Sequence, residues 1–239
     1  MTNPTDAIRI RFYDSLRPVW VDGTTAFANL VRGSLRPDMR VLNLGAGPGG
    51  PLNFDRDVST LIGLDPDAAI ARNDHLTERA RGVAEALPFR AGSFDAVYLD
   101  WVVEHLPDPV GATREIARVL KPGGRLMFRT GNLLHYSYAI SRLTPHRFHE
   151  FVIRLLGGDE APDPYPTYYR MNTISVVRRV MLEAGLEEET LIMYESDPAY
   201  VGFSVPTMLL GVVYERLVNR FAGLANLRAN ILGCFRAQS

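Results

Sequence analysis

The stretch RVLNLGAGPGG, residues 40–50, begins as a strand and ends as something that cannot be one. Val41, Leu42 and Leu44 supply a short apolar run, and glycines follow at 45, 47, 49 and 50. Glycine accepts positive φ and lets another group approach bare backbone. A glycine turn closing a buried strand therefore offers unpaired N–H groups to a ligand. That reading points to a nucleotide-like ligand over the first strand of an α/β sheet. A tight turn packed on a helix would use the same glycines, so the rest of the chain has to decide.

Outward from this turn, TLIGLD (60–65) reads as a second strand closed by Asp65, FDAVYLD (94–100) as another and GRLMFRT (124–130) as the next. PVGATREIARVL (109–120) spaces its apolar residues for one helix face, and KPGG (121–124) stops it. Strand, helix and strand at this spacing form a parallel βαβ pattern. The interval PLNFDRDVS after Gly50 is shorter than the usual crossover of about a dozen residues. The first crossover is therefore trimmed. Beyond residue 172, TISVVRRVMLEAGL (173–186) and PTMLLGVVYERLVNRF (206–221) read as helices, and EETLIMY (188–194) and NILGCF (230–235) as strands.

The chain has 239 residues, enough for one domain with a full core or one domain plus a lid. Its formal net charge of −1 gives no sign of a nucleic-acid partner, and no basic stripe with interleaved aromatics marks a nucleic-acid channel. The one cysteine, Cys234, excludes an intramolecular disulfide and a Cys-rich zinc site. It fits a reducing compartment, and a cytoplasmic location is expected. The N-terminus MTNPTDAIRIRFYDS has no apolar core of a signal peptide. The longest near-apolar run, VGFSVPTMLLGVVY (201–214), is too short to span a bilayer, so no transmembrane segment is expected.

Taken together, these segments resemble the class I S-adenosylmethionine-dependent methyltransferases, from about Arg40 to Gly185. VLNLGAGPGG looks like the glycine-rich motif that cradles the methionine part of the cofactor, and IGLDPD like the second-strand motif whose acid binds the ribose hydroxyls. VAEALPF looks like the adenine-side loop. FDAVYLDWVVEHLPDP followed by EIARVLKPGGRLMF looks like the fourth strand, its helix and the turn before the fifth. Four such pieces in register are far more specific than any one of them. Two departures stand out: Asn43 and Val83 occupy positions where many members carry an acid.

The resemblance implies an α/β fold with a doubly wound, mostly parallel seven-stranded sheet, helices on both faces and a helical or loop lid inserted after strand 5. Residues 1–39 are then an N-terminal cover, and 40–239 the methyltransferase domain, with 132–172 as lid and acceptor pocket. The implied cofactor is S-adenosyl-L-methionine, leaving as S-adenosyl-L-homocysteine, and the implied activity is methyl transfer to an O or N atom of a small or medium organic acceptor. Its expected contacts are Gly45, Ala46, Gly47, Gly49, Asp65, Pro66, Ala84, Glu85, Asp100 and Trp101, with Leu87 bordering the adenine. Asp65 has a competing role as a helix N-cap, which Asp67 could also fill.

Two other readings stay in play. Gly45, Gly47 and Gly50 match the G-x-G-x-x-G spacing of a dinucleotide site, with Asp65 near the expected distance for an NAD-dependent oxidoreductase. AEALPF and EHLPDP have no role in that site, and the trimmed crossover weakens the seat for a pyrophosphate. A protein that binds the cofactor without turnover is the other alternative.

Acceptor residues are less defined. Residues 132–172 hold three histidines, five tyrosines and four prolines, a texture that suits a shaped pocket outside the sheet. His135, Tyr136, His146, Tyr168, Tyr169 and Arg170, with Tyr13 and Trp20 before strand 1, are the expected acceptor contacts. His146, His149, His105 and Tyr13 are the candidate bases. His146 and His149 lie three apart, as metal ligands can, but nothing nearby completes a set and no metal is expected. Segment 206–236 carries four arginines against one glutamate. Its helix reads as core, as a homodimer contact or as a weak membrane-surface contact within 201–235.

Overall fold

The computed structural model describes residues 8, 10–13, 21–138, 165–195, 198, 201 and 204–238. The chain divides into two compact units. One comprises 26–131, 167–192 and 231–239, and the other 1–25, 132–166 and 193–230.

The first unit is built on a seven-stranded, mostly parallel sheet in the order β3-β2-β1-β4-β5-β7-β6. The strands are β1 Arg40–Leu44, β2 Thr60–Asp65, β3 Glu78–Arg81, β4 Phe94–Asp100, β5 Leu120–Gly131, β6 Leu186–Tyr194 and β7 Asn230–Ala237. β1 pairs in parallel with β2 and β4, and β4 with β5. The sequences of β1, β2 and β4 are near-continuous apolar runs because a parallel sheet is covered on both faces. Leu42, Leu44, Leu61, Ile62, Leu64, Val97 and Leu99 are all buried.

Among the described residues, the helices with both ends defined are α1 Gly23–Arg32, α2 Pro109–Val119, α3 Ile174–Glu183 and α4 Val205–Arg220. Asp108 caps α2 by accepting the Gly111 N–H, and Pro109 follows with the φ that a first helical turn requires. α2 buries Ala112, Ile116 and Val119 and packs beside α3. KPGG does not simply stop this helix. It lies inside β5 as an irregularity in the β4 pairing, where Phe94 faces Leu120 but Ala96 already faces Arg125.

The trimmed first crossover is real: residues 45–59 contain no helix. Phe54 covers the sheet face instead, fully buried, with its ring edge-on to Tyr98 at 5.2 Å and the Arg32 guanidinium 5.3 Å over it. One buried phenyl ring contributes about 1.5–3 kcal/mol. β3, sequence ERAR, carries no apolar run, and its sequence signals no strand. It is an edge strand, and its charges discourage pairing with another chain.

β7 lies between β5 and β6. Its Gly233 makes that place available, because a Cβ there would sit 2.5 Å from the Phe128 ring. Phe128 and Phe235 stack beside it at 6.1 Å.

In the second unit, α4 opens on a capping box in which Ser204 and Thr207 satisfy each other's backbone N–H. Met208 and Val212 of α4 pack with buried Tyr13. The Arg228 guanidinium donates to the Val218 and Met193 carbonyls. Among the described residues, no helix is long and apolar enough to cross a membrane.

Replacing Gly233 by Val should destabilise the chain by about 1–3 kcal/mol, the cost of overpacking against Phe128. Gly223, whose Cβ would meet nothing within 4 Å, is the control. Gly223→Ala should change stability by less than about 1 kcal/mol. Urea unfolding of both variants against the parent checks the pair.

Candidate functional site

The glycine turn after β1 contains two kinds of glycine. Gly45, with φ 72°, donates its N–H to the Leu64 carbonyl at 2.8 Å. A Cβ on it would lie 2.2 Å from Cγ2 of Val102, so internal packing demands glycine there. Gly47, with φ 49°, is different: its Cβ would meet nothing within 4 Å. Gly50 likewise faces open space, without positive φ. No packing neighbour demands glycine at 47 or 50; at 47 the left-handed φ favours it. Buried Asn73 steadies the turn, its amide donating to the Ala46 carbonyl at 3.0 Å. Gly49 has φ 103° and passes beside the Asn73 amide.

Asp65 ends β2 and is 7% exposed. Its Oδ2 accepts the Gly47 N–H at 2.9 Å and its Oδ1 the Asp67 N–H at 2.8 Å. The capping role belongs to Asp67, which accepts the Ala69 N–H at 2.7 Å to start a short 3₁₀ turn at Ala68–Arg72. Each Asp65 oxygen keeps acceptor capacity beyond its one backbone donor. Pro66 follows with its carbonyl held by Arg81.

In the loop after β3, Val83 is exposed, and Ala84 and Leu87 are buried. Glu85 Oε1 is buried with no hydrogen-bond partner among the described residues. Such an atom costs free energy until a donor reaches it. Phe89 is half-buried and packs edge-on to the buried Phe94 ring at 5.0 Å.

The ends of β4 and β5 carry a polar network that the sequence reading only half identified. Asp100 faces Arg129 across the pairing, and the two form a two-pronged ion pair with distances of 2.6 and 2.8 Å. Burial pushes the Asp100 carboxyl above the usual carboxylate range, and the Arg129 guanidinium pulls against that rise. Trp101 follows with φ 56°, a left-handed conformation that costs a non-glycine residue about 1–2 kcal/mol. Next, Glu104 is buried, and burial raises its carboxyl as well. It accepts the Thr130 hydroxyl at 2.7 Å, and that hydroxyl accepts from the Asn172 amide at 2.8 Å. The Glu104 carbonyl takes the N–H groups of both Tyr168 and Tyr169. Arg129, Thr130 and Asn172 were missed. The available signal was an arginine and a threonine inside an otherwise apolar strand pattern; Asn172, just before α3, carried none.

Of the expected acceptor and base residues, Trp20, His146 and His149 lie outside the described residues. His105 ends a 3₁₀ turn at Val103–His105 beside Glu104. Tyr168 is exposed with Arg170 5.3 Å over its ring, and Arg170 also donates to the Pro107 carbonyl. Tyr169 holds a left-handed φ of 51°.

In the second unit, Tyr13 is wholly buried and donates its hydroxyl to Glu215 at 3.3 Å. His135 is 1% exposed, with Nδ1 2.7 Å from the Ser137 hydroxyl and Nε2 3.5 Å from the Glu195 carboxylate. Tyr136 and Tyr214 pack edge to face at 4.8 Å and line an apolar cavity of about 220 Å³ with Val201, Thr207, Leu210 and Gly211. Burial and Glu195 push the Tyr214 phenol up to about 12. Among the described residues, no group of three or more His, Cys, Asp or Glu could hold a metal ion.

Residues 42–128 match a family described as a methyltransferase domain. The ubiquinone biosynthesis O-methyltransferase of Xanthomonas oryzae pv. oryzae is 32% identical over 156 residues, 57% of this chain and 62% of that protein. Cycloartenol-C-24-methyltransferase 1 of Oryza sativa subsp. japonica is 38% identical over 102 residues, 37% of this chain and 29% of that protein. The chain thus spans less than two thirds of each of these relatives. Among solved structures, an S-adenosylmethionine-dependent methyltransferase from Mesorhizobium loti superimposes with a TM-score of 0.58 at 17% identity, covering 87% of this chain and 97% of that one.

The two kinds of glycine make a stability prediction. Gly45→Ala should cost more than about 2 kcal/mol, because strain at positive φ adds to the Val102 clash. Gly47→Ala should cost only about 1 kcal/mol, from φ alone. Equal losses in denaturant titrations would contradict the open space at Gly47.

Proposed function

We propose that this chain, which has the class I S-adenosylmethionine-dependent methyltransferase-like fold, transfers a methyl group from S-adenosylmethionine to an oxygen or nitrogen of a small or medium organic acceptor. The observation that carries the proposal is the pairing of a glycine turn with an acid: Gly47, whose Cβ position faces open space, donates to Asp65 at the end of the next strand. The strand order supports it. A dinucleotide fold runs 3-2-1-4-5-6, whereas here β7 lies between β5 and β6, and no helix follows the glycine turn to seat a pyrophosphate.

In this reading the turn at 45–49 holds the methionine portion, the spare acceptor capacity of Asp65 takes the ribose hydroxyls, and Ala84, Glu85 and Leu87 border the adenine. The unpaired Glu85 oxygen suits a donor such as an exocyclic amine. Asp100 and Trp101 flank the reacting end. The bound cofactor supplies an electrophilic methyl group, so the protein's part is to align the acceptor and exclude water. An amine or a carboxylate acceptor needs no base, and a hydroxyl needs one within reach. The O-methyltransferase relative favours oxygen. The apolar residues exposed along α4, Leu209, Val213 and Leu217 among them, suit a homodimer or membrane-surface contact.

Calorimetric titration with S-adenosylhomocysteine tests the cofactor, with NAD as the negative control. Asp65→Ala should weaken binding by about 1–3 kcal/mol, roughly 5- to 150-fold. Gly47→Val should bind more weakly still, because its side chain occupies the cradle. Transfer of a radiolabelled methyl group into acceptor fractions then tests turnover. A folded parent that binds NAD and not S-adenosylhomocysteine would sink the proposal.

A further inference from the structure

We infer that Arg129 is a positioning residue of this site: one side chain and its own carbonyl fix both Asp100 and Trp101 at the end of β4. The inference rests on the functional reading above, and it adds a residue to which neither the sequence pattern nor the family resemblance gives a role.

Several contacts converge on Arg129. Its Nε and Nη2 meet the two oxygens of Asp100 at 2.6 and 2.8 Å, which fixes the carboxylate plane as well as its position. Its carbonyl accepts the Trp101 N–H at 3.1 Å. Its guanidinium lies 5.1 Å from the centre of the Trp101 ring and 5.7 Å from that of Phe27. The left-handed backbone at Trp101 is thus held by its N–H and by its ring, both through the same residue.

Stability alone does not account for such a pair. The side chains are 5% and 21% exposed, so both ions have lost most of their water. A buried ion pair regains that loss only with good geometry, and apolar residues of similar size often serve stability as well. The other ion pairs of the sheet are more exposed. Lys121–Asp95, at the opposite end of β4, has its lysine 44% exposed. The dehydrated pair sits instead at the carboxyl ends of the strands, where open α/β sheets bind their ligands.

Other charged or titratable groups also act on Asp100. Arg129 favours its charge, whereas Glu104 and the Tyr98 phenol each interact with it electrostatically, and burial raises its carboxyl. Without Arg129, nothing in this set offsets the burial. The Asp100 pKa then rises further, and the carboxylate is lost as pH falls through that higher value.

The test is S-adenosylhomocysteine affinity from pH 5.5 to 9 for the parent, Arg129→Gln, Arg129→Lys and the double variant Asp100→Asn/Arg129→Gln, each with its thermal midpoint. Dividing by the parent value cancels the ligand's own titration. Arg129→Gln should bind roughly tenfold more weakly near pH 7, with the deficit growing toward pH 5.5 and shrinking toward pH 9. Arg129→Lys keeps a cation but loses the fork, so it should bind weakly with little pH slope. The double variant has no carboxyl left to titrate and should lose the slope. Parent-like affinity in Arg129→Gln, or a deficit of the same size at every pH, overturns the inference, since a packing role lowers the midpoint without creating a slope. Should Arg129→Gln not fold, parent-like affinity in Arg129→Lys overturns it. A parent that binds no S-adenosylhomocysteine fails the functional reading itself and takes this inference with it.

Discussion

The hydrogen bond from Gly47 N–H to Asp65 Oδ2 joins the ends of two adjacent parallel strands, and the rest of the site is arranged around it. It forms only if the chain leaves β1 in a left-handed turn, which requires glycine at 45 and 47. It also requires β1 and β2 to end level, which the pairing of Leu44 with Leu64 provides. Sheet register and loop conformation are therefore one constraint. A shift of one residue in β2 would turn Asp65 to the other face and leave the turn without its anchor.

That constraint explains how the fold tolerates a missing crossover helix. In a fold that seats pyrophosphate on a helix N-terminus, losing the helix removes the binding site. Here the loop donors are oriented by side chains instead, by Asp65 from β2 and by Asn73 beyond the 3₁₀ turn. The missing helix leaves sheet surface to be covered, and Phe54 against Tyr98 covers it. The substitution costs little backbone order and still removes apolar surface from water.

The sequence made the centre of the sheet legible because strands buried on both faces are apolar without interruption, and β1, β2 and β4 fall within a residue of their expected bounds. It hid β3, because an edge strand is stabilised by one neighbour and can be as hydrophilic as Glu78–Arg81. It gave only part of the candidate site. Gly45, Gly47 and Asp65 lie in local motifs, whereas Arg129, Thr130 and Asn172 matter through partners 29, 26 and 42 residues away. No short-range pattern records such pairings. The same limit applies to Asp65: the competing cap assignment was resolved only when Asp67 took the Ala69 N–H.

The polarity at the ends of β4 and β5 bears on what kind of chemistry the site can support. The Thr130 hydroxyl donates a hydrogen bond to Glu104 and accepts one from the Asn172 amide, so that chain of hydrogen bonds has one direction. A carboxylate that already accepts such a bond, and is itself buried, is held for orientation rather than for exchange with solvent. Its carbonyl does the same for the chain, collecting the N–H groups of Tyr168 and Tyr169 and so bringing the segment before α3 to the end of the sheet. Asp100, in contrast, retains 21% exposure of its side chain and two oxygens with lone pairs beyond those that Arg129 uses. Of the two carboxylates, Asp100 is the one open to solvent, and Glu104 is buried. Under the proposed function, a cofactor that carries its own electrophile would ask for that division, one exposed group and one in the frame, more than for a strong base.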